Sequence, residues 1–364
     1  MSLRMHDGGV AGLAKGRGAA LNPEGRFESS RRESVDDGWS RGDGDADPTP
    51  VQTLVTEERA RSILTRNESP DLPFRVSLNP YRGCEHGCIY CYARPSHAYL
   101  DLSPGLDFET RIFAKVNAAE LLRQELARPG YRCEAISIGA NTDPYQPAER
   151  DYRITRSILE VLEACGHPAA IITKNALVLR DLDLLVPMAR RNQVKVFVSV
   201  TTLDHGVARR LEPRASSPTR RIEVIRELAK AGVSAGVMVA PIIPFLTDDG
   251  LESILDEAAG AGAGSAGYVL LRLPYEIKEL FKDWLQNHYP LKAEHVMSRV
   301  RQMRDGREND AEFGSRLRGQ GLLAELLAQR FDKACRRLGL NVERRGLDTT
   351  QFRAARLAGQ MALF

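Results

Sequence analysis

Asn79-Pro80-Tyr81-Arg82-Gly83-Cys84-Glu85-His86-Gly87-Cys88-Ile89-Tyr90-Cys91-Tyr92 carries three of the chain's six cysteines within eight residues, in the spacing C-x3-C-x2-C. Thiolates are the usual ligands of an iron–sulfur cube, and four normally close it. Three leave one iron without a protein ligand, and an open coordination position is what makes a metal site reactive rather than structural. Gly83 and Gly87 let the loop turn tightly and aim backbone N–H groups at an anionic cluster. A zinc knuckle is the competing reading, with His86 or a distant His as fourth ligand. Such zinc sites usually join two close cysteines to a second close pair, whereas Cys133, Cys165 and Cys335 stand alone.

Working outward from this loop, strand-like and helix-like stretches alternate. Short apolar or alternating runs fall at 74–78, 135–138, 170–173, 194–200, 234–240 and 267–273, with helical patterns at 115–127, 154–165, 178–191, 219–231 and 251–261 between them. This alternation predicts parallel βα units with right-handed crossovers. Six units suit an α/β fold of the open, partial TIM-like (β/α)6 kind, with its site at the C-terminal ends of the strands. The cysteine loop follows the first strand. The predicted core spans 71–275. A helical C-terminal extension follows over 276–346, with helices at 275–286, 293–303 and 322–338, and a tail over 347–364. From Arg299 to Arg345, twelve Arg and Lys face seven Asp and Glu, an excess of +5; a nucleic-acid face and a solvated helix surface both account for it.

Residues 1–70 are rich in Gly, Ser, Arg and Asp, too polar to offset their ordering entropy, and are predicted to be a mostly disordered arm. Lys15-Gly16-Arg17-Gly18 reads as a phosphate contact or as a solvated tail, and 56–64 as a short helix leading into the fold. The chain has 364 residues, 43% of them apolar, and a net charge of +3. That charge is too slight to demonstrate a nucleic-acid partner. No run approaches the roughly 18 apolar residues of a membrane span, and Met1–Asp7 lacks the apolar run of a secretory signal. With so few cysteines, reduced thiols and a cytoplasmic location are expected.

Polar residues gather at the predicted strand ends. Gly139-Ala140-Asn141-Thr142-Asp143-Pro144-Tyr145-Gln146-Pro147 reads as a site loop or as an ordinary turn with Asn and Asp capping the next helix. Lys174 emerges from a buried strand and is costly to desolvate unless it meets an anion. Ser199 ends the fourth strand. Arg214 follows in 211–218, whose Ser217-Pro218 is also a helix entry, and 239–244 offers apolar backbone or plain core.

Over about 72–275, these features resemble radical SAM proteins of the spore photoproduct lyase-like, or DNA repair photolyase-like, group. The cysteine motif is highly specific for the superfamily; Lys174, Ser199 and 141–146 carry the resemblance to the group. The resemblance implies a [4Fe-4S] cluster on Cys84, Cys88 and Cys91, with S-adenosylmethionine (SAM) on the open iron. It places Tyr90 beside the adenine and Asn141, Thr142 and Asp143 near the SAM amino group. Lys174 falls on the SAM carboxylate, and Ser199 on its ribose or carboxylate. An electron from a flavodoxin or ferredoxin then cleaves SAM to methionine and a 5′-deoxyadenosyl radical, which takes a hydrogen atom from the substrate. One departure stands out: the spore lyase keeps a hydrogen-donating cysteine near the second-strand loop, where this chain has Gly139-Ala140-Asn141, so thymine-dimer reversal by that route is not expected. A substrate in nucleic-acid repair or modification is one reading and a peptide or small molecule another. A third is a non-catalytic metal-bearing module docked on the sliding clamp, since Gln360-Met361-Ala362-Leu363-Phe364 resembles a clamp-binding peptide. Its Leu-Phe pair would fill an apolar pocket.

Overall fold

The six apolar runs pair side by side as one parallel sheet in a computed structural model that describes residues 16–27, 51–342 and 346–354. They are β1 (Val76–Leu78), β2 (Ile136–Ile138), β3 (Ala169–Thr173), β4 (Val194–Ser199), β5 (Ser234–Ile242) and β6 (Ser265–Leu270), hydrogen-bonded in chain order with every pairing parallel. Val and Ile dominate, and side chains such as Ile136, Ile138, Val196, Val198, Val237 and Val239 are fully buried, as expected of strands covered on both faces. Leu64–Arg66 adds an antiparallel strand to the free edge of β1, and it does not pair with β6. The barrel is therefore open, as the alternation predicts.

The connecting helices start and stop where local chemistry dictates. Ile154–Cys165 buries Ile158, Leu159 and Leu162 and ends at Gly166, whose φ of 67° suits a residue without a Cβ. Pro218–Lys230 opens with the Ser217 hydroxyl accepting from the Arg220 N–H and with Pro in its first turn. Three further helices, Ile277–His288, Pro290–Gln302 and Gly321–Leu338, form the C-terminal extension. It is not detached from the barrel. Leu327, Phe331 and Ala334 join the barrel core, while Phe281, Trp284 and Met297 share a second apolar cluster with Cys88, Ile89 and Tyr90.

The structure corrects the short helix expected over 56–64. Leu54–Glu58 is instead a strand, parallel to Arg111–Lys115, which also pairs antiparallel with Tyr81–Arg82. Glu, Arg and Ala favour helix locally, but strand pairing and a Glu58–Arg82 ion pair at 2.9 Å override that preference. For the same reason the helix expected from 115 begins only at Ala118.

Residues 16–27, placed in the arm by composition, are built into the fold largely by polar contacts, with Ala19 buried in the second apolar cluster. Arg17 is buried rather than part of a solvated tail: its guanidinium donates to the Glu109 carbonyl (3.0 Å), the Val51 carbonyl (2.6 Å) and the Thr53 hydroxyl (2.9 Å). At the far end of the chain, residues 346–354 cross the N-terminal side of the strands. Asp348 N–H donates to the Asn192 carbonyl (2.8 Å) and Arg353 N–H to that of Cys165 (2.9 Å). The Phe352 ring packs 5.2 Å from His167 and 5.5 Å from Tyr131. Gln360–Phe364 lies outside the described residues. Among the described residues, no helix is long and apolar enough to cross a membrane.

Candidate metal and cofactor site

The cysteine loop leaves β1 at the C-terminal mouth of the barrel and is tied down along its length. Gly83 and Gly87 take φ of 75° and 67°; a Cβ on Gly87 would come within 2.7 Å of Glu109 Oε2. Cys84 N–H donates to the Phe108 carbonyl (2.9 Å), Ile89 N–H to Leu211 (3.1 Å) and Arg214 N–H to His86 (3.2 Å). The Gln146 amide brackets the loop, accepting from Glu85 N–H (2.9 Å) and donating to the Gly83 carbonyl (3.1 Å). Fully buried Arg94 donates to the Cys88 carbonyl (2.9 Å) and to Glu109 Oε1 (2.5 Å). Glu109 in turn accepts the N–H groups of Gly18 and Ala19, both at 2.9 Å. The arm lies so close that a Cβ on Gly18 would sit 1.8 Å from the Gly87 carbonyl oxygen.

None of the six cysteines is in a disulfide; Cys84 and Cys88 are buried and Cys91 is partly exposed. Cys91 packs against the apolar neighbours of both others. Burial pushes all three thiols above their ordinary range, so metal binding must be accompanied by their deprotonation. His86, the alternative fourth ligand, is spent on protein: Nδ1 lies 3.3 Å from Asp143 Oδ2, and Nε2 lies 3.1 Å from the Asn175 amide. Among the described residues, no three His, Cys, Asp or Glu side chains are grouped as donors to a metal ion. Thiolates on one zinc would crowd to about 3.8 Å from each other, from Zn–S bonds near 2.3 Å, whereas a cube spreads its ligands over separate irons. Three thiols on one anchored loop, with the nearby imidazole committed elsewhere, are the donor set that an iron–sulfur cluster takes.

Of the predicted SAM-contact residues, Asn141, Thr142, Asp143, Lys174 and Ser199 sit at strand ends around this mouth and Tyr90 in the cysteine loop itself, with different degrees of freedom. The Asn141 side chain is exposed, and Asn79 Oδ1 receives its N–H at 2.9 Å. The Thr142 hydroxyl is used locally, donating to the Tyr81 carbonyl at 3.0 Å. Asp143 is an organiser, accepting from Thr173 Oγ1 (2.7 Å), Lys174 N–H (2.7 Å) and Tyr145 N–H (2.9 Å). Burial raises its carboxyl, yet His86 and these donors together hold it below the ordinary carboxylate range. Ser199, the last residue of β4, is buried. Tyr90 is only 7% exposed, and its hydroxyl bonds Glu212 and approaches Thr201 Oγ1 (3.3 Å); the open aromatic beside the cysteines is Tyr92.

Sequence reading missed Glu212, the residue that joins these side chains. Fully buried, it bonds Tyr90 and Arg221, accepts from Thr201 Oγ1 (2.6 Å) and lies 3.6 Å from the Lys174 ammonium. Lys174 also donates to the Ala240 carbonyl at 3.2 Å. Burial alone would raise the Glu212 carboxyl, but Arg221 and Lys174 prevail and hold it at about 2. In sequence, 211–218 drew attention through Arg214, which pairs with Glu85 at 3.2 Å. The one local sign of Glu212 is an acidic residue directly after the apolar Leu211.

A family model of the radical SAM superfamily matches residues 78–258. An uncharacterized protein of Mycobacterium tuberculosis is 42% identical over 234 residues, 64% of this chain and 68% of that protein. The chain belongs to the radical SAM superfamily. Membership implies an iron–sulfur cluster and SAM, which this radical SAM chain's thiol loop and strand-end residues fit. A radical SAM Nalpha-GlyT isomerase of Pseudomonas phage M6 is 27% identical over 191 residues, covering 51% of this chain and 37% of that one. Among solved structures, spore photoproduct lyase complexed with dinucleoside spore photoproduct superposes with a TM-score of 0.56 at 17% identity, over 79% of this chain and 80% of that one. At that identity the likeness shows the fold.

Proposed function

We propose that this radical SAM enzyme holds a [4Fe-4S] cluster on Cys84, Cys88 and Cys91 and uses SAM for hydrogen abstraction from a nucleic-acid substrate. The observation that carries the cluster assignment is the set of three free thiols on the anchored loop at the barrel mouth, with His86 committed to Asp143. The bound cofactors supply reductive cleavage of SAM to methionine and a 5′-deoxyadenosyl radical, with a flavodoxin or ferredoxin as electron donor. The protein supplies position and exclusion of water. Lys174 offers a cation and Ser199 a hydroxyl at adjacent strand ends, suited to the SAM carboxylate, and Asn141 offers an exposed amide. Glu212 holds Lys174 and Tyr90 in place. The nucleic-acid reading draws on the fold shared with spore photoproduct lyase and on the basic stretch after Arg299. Lesion reversal through a returning thiol is not included, because Cys133 precedes β2 and Cys165 ends a helix at the opposite side of the sheet.

The test is anaerobic reconstitution with iron and sulfide, followed by dithionite and SAM, with 5′-deoxyadenosine as the readout. Production is expected from the native chain and from Cys335→Ala, and none from Cys88→Ala. Zinc in place of iron on metal analysis, or production that persists in Cys88→Ala, would sink the proposal.

A further inference from the structure

The rim of the barrel mouth carries flat side chains that SAM cleavage does not use. Tyr99 and Phe27 stack with ring centroids 5.1 Å apart and planes inclined by 25°. The Arg26 guanidinium lies 5.4 Å from the Phe27 ring and 3.7 Å over the Tyr275 ring. Three separate chain segments thus build one run of planar groups: the arm, the turn after the cysteines and the segment after β6. The run is not core, since Tyr99 is 70% exposed, Tyr275 60% and Phe27 54%. Tyr275 also has φ of 52°, a left-handed conformation that is costly for a bulky residue and is kept only where its surroundings impose it. Glu276 pairs with Arg26 at 2.8 Å and fixes the guanidinium between the rings.

A second cation lies on the same segment as Tyr275. Arg272, three residues before Tyr275, lies 5.7 Å from the ring of Tyr92, next to Cys91. Its Nε is buried without an acceptor. The nearby acids are otherwise engaged: Asp71 takes two hydrogen bonds from Arg316, at 2.6 and 2.7 Å, and Asp310 takes the Ser315 hydroxyl at 2.5 Å. Buried Arg304 adds positive charge near Arg272, while Arg316 is balanced by its pair with Asp71.

Open aromatic faces and, on the segment that carries Tyr275, a guanidinium whose Nε has no acceptor match the two parts of a nucleotide, a base that stacks and a phosphate that pairs. In a duplex the base faces are already stacked on each other, so this rim can take only unpaired bases. We infer that the rim is a docking surface for single-stranded nucleic acid, with bases on Tyr99 and Tyr275 and a phosphate at Arg272. This rests on the nucleic-acid reading above and narrows it to unpaired strands. Protein hot spots also use Tyr and Arg, but the stack contains no aliphatic member, and two flat faces with a cation suit bases better.

Fluorescence anisotropy on the full, reconstituted chain tests this with labelled strands of about 20 nucleotides, long enough for one binding groove. The probes are a mixed-sequence single strand, its duplex and an abasic strand of equal length. The single strand should bind at least about tenfold tighter than either control. Tyr275→Ala should weaken it about 5- to 150-fold, the loss of one base stack, while Tyr275→Trp retains affinity. Arg272→Gln should reduce the salt slope by about 0.7, one phosphate contact on a single strand. Equal binding of duplex or abasic strand, or full affinity in Tyr275→Ala, overturns the inference and leaves the rim to a protein partner. 5′-Deoxyadenosine measured without oligonucleotide keeps the two readings apart. Production without strand binding removes this inference alone, and strand binding without production removes SAM cleavage alone.

Discussion

Glu212 shows how much one carboxylate settles. Its folded-state value of about 2 lies below the ordinary 4.5, so the unfolded chain takes up the proton first as pH falls. The stabilisation is complete above about 4.5 and is lost as pH drops through about 2, a total of about 3 kcal/mol. Denaturant titrations across that window should show a steep loss in the native protein and a shallower one in Glu212→Gln; parallel curves would count against the assignment. Glu212→Ala leaves Arg221 charged in a dry site, and breaking such a pair costs about 3–5 kcal/mol. Thermal unfolding at neutral pH reads this directly. Neither effect could be inferred from sequence, because Tyr90, Lys174, Thr201 and Arg221 reach Glu212 from separate elements. The cysteine motif, by contrast, was legible at once, since its spacing is local.

At the scale of elements, the arm over 16–27 is the part most sensitive to a single methyl group. Gly18→Ala would force a Cβ to within 1.8 Å of the Gly87 carbonyl oxygen, and neither backbone can yield cheaply. The arm should lift, and limited proteolysis within 16–27 should accelerate roughly tenfold, the effect of easing a local opening by about 1.4 kcal/mol. Unchanged cleavage would mean that the contact is not held in solution. The six βα units were legible because buried strands and amphipathic helices leave periodic marks, and Ile154–Cys165 was found to the residue. The arm and the strand Leu54–Glu58 were not. Both are held by hydrogen bonds to distant partners, Glu109 and Arg111–Lys115, and such pairing leaves no period in the sequence.

Across the whole molecule, the two ends of the barrel do different work. The mouth gathers the cysteines, Lys174 and the aromatic rim, while residues 346–354 pack over the N-terminal side against Asn192, Cys165 and His167. Truncation before residue 346 should therefore lower the melting temperature, by about 2–4 °C for each kcal/mol lost in a large domain, and leave 5′-deoxyadenosine production intact. Loss of production would show that the two ends are coupled. Removing Gln360–Phe364 alone tests the proposed sliding-clamp contact; binding that survives would end it. The cysteine loop has a further consequence, in time rather than space. Its backbone is tied to Leu211 and Arg214 and its Tyr90 to Glu212, more than a hundred residues downstream. During synthesis the three thiols leave the ribosome long before their anchors exist. The loop's full set of ties therefore forms only after the chain has been made to residue 214, so the three thiols reach their anchored arrangement well after their own synthesis.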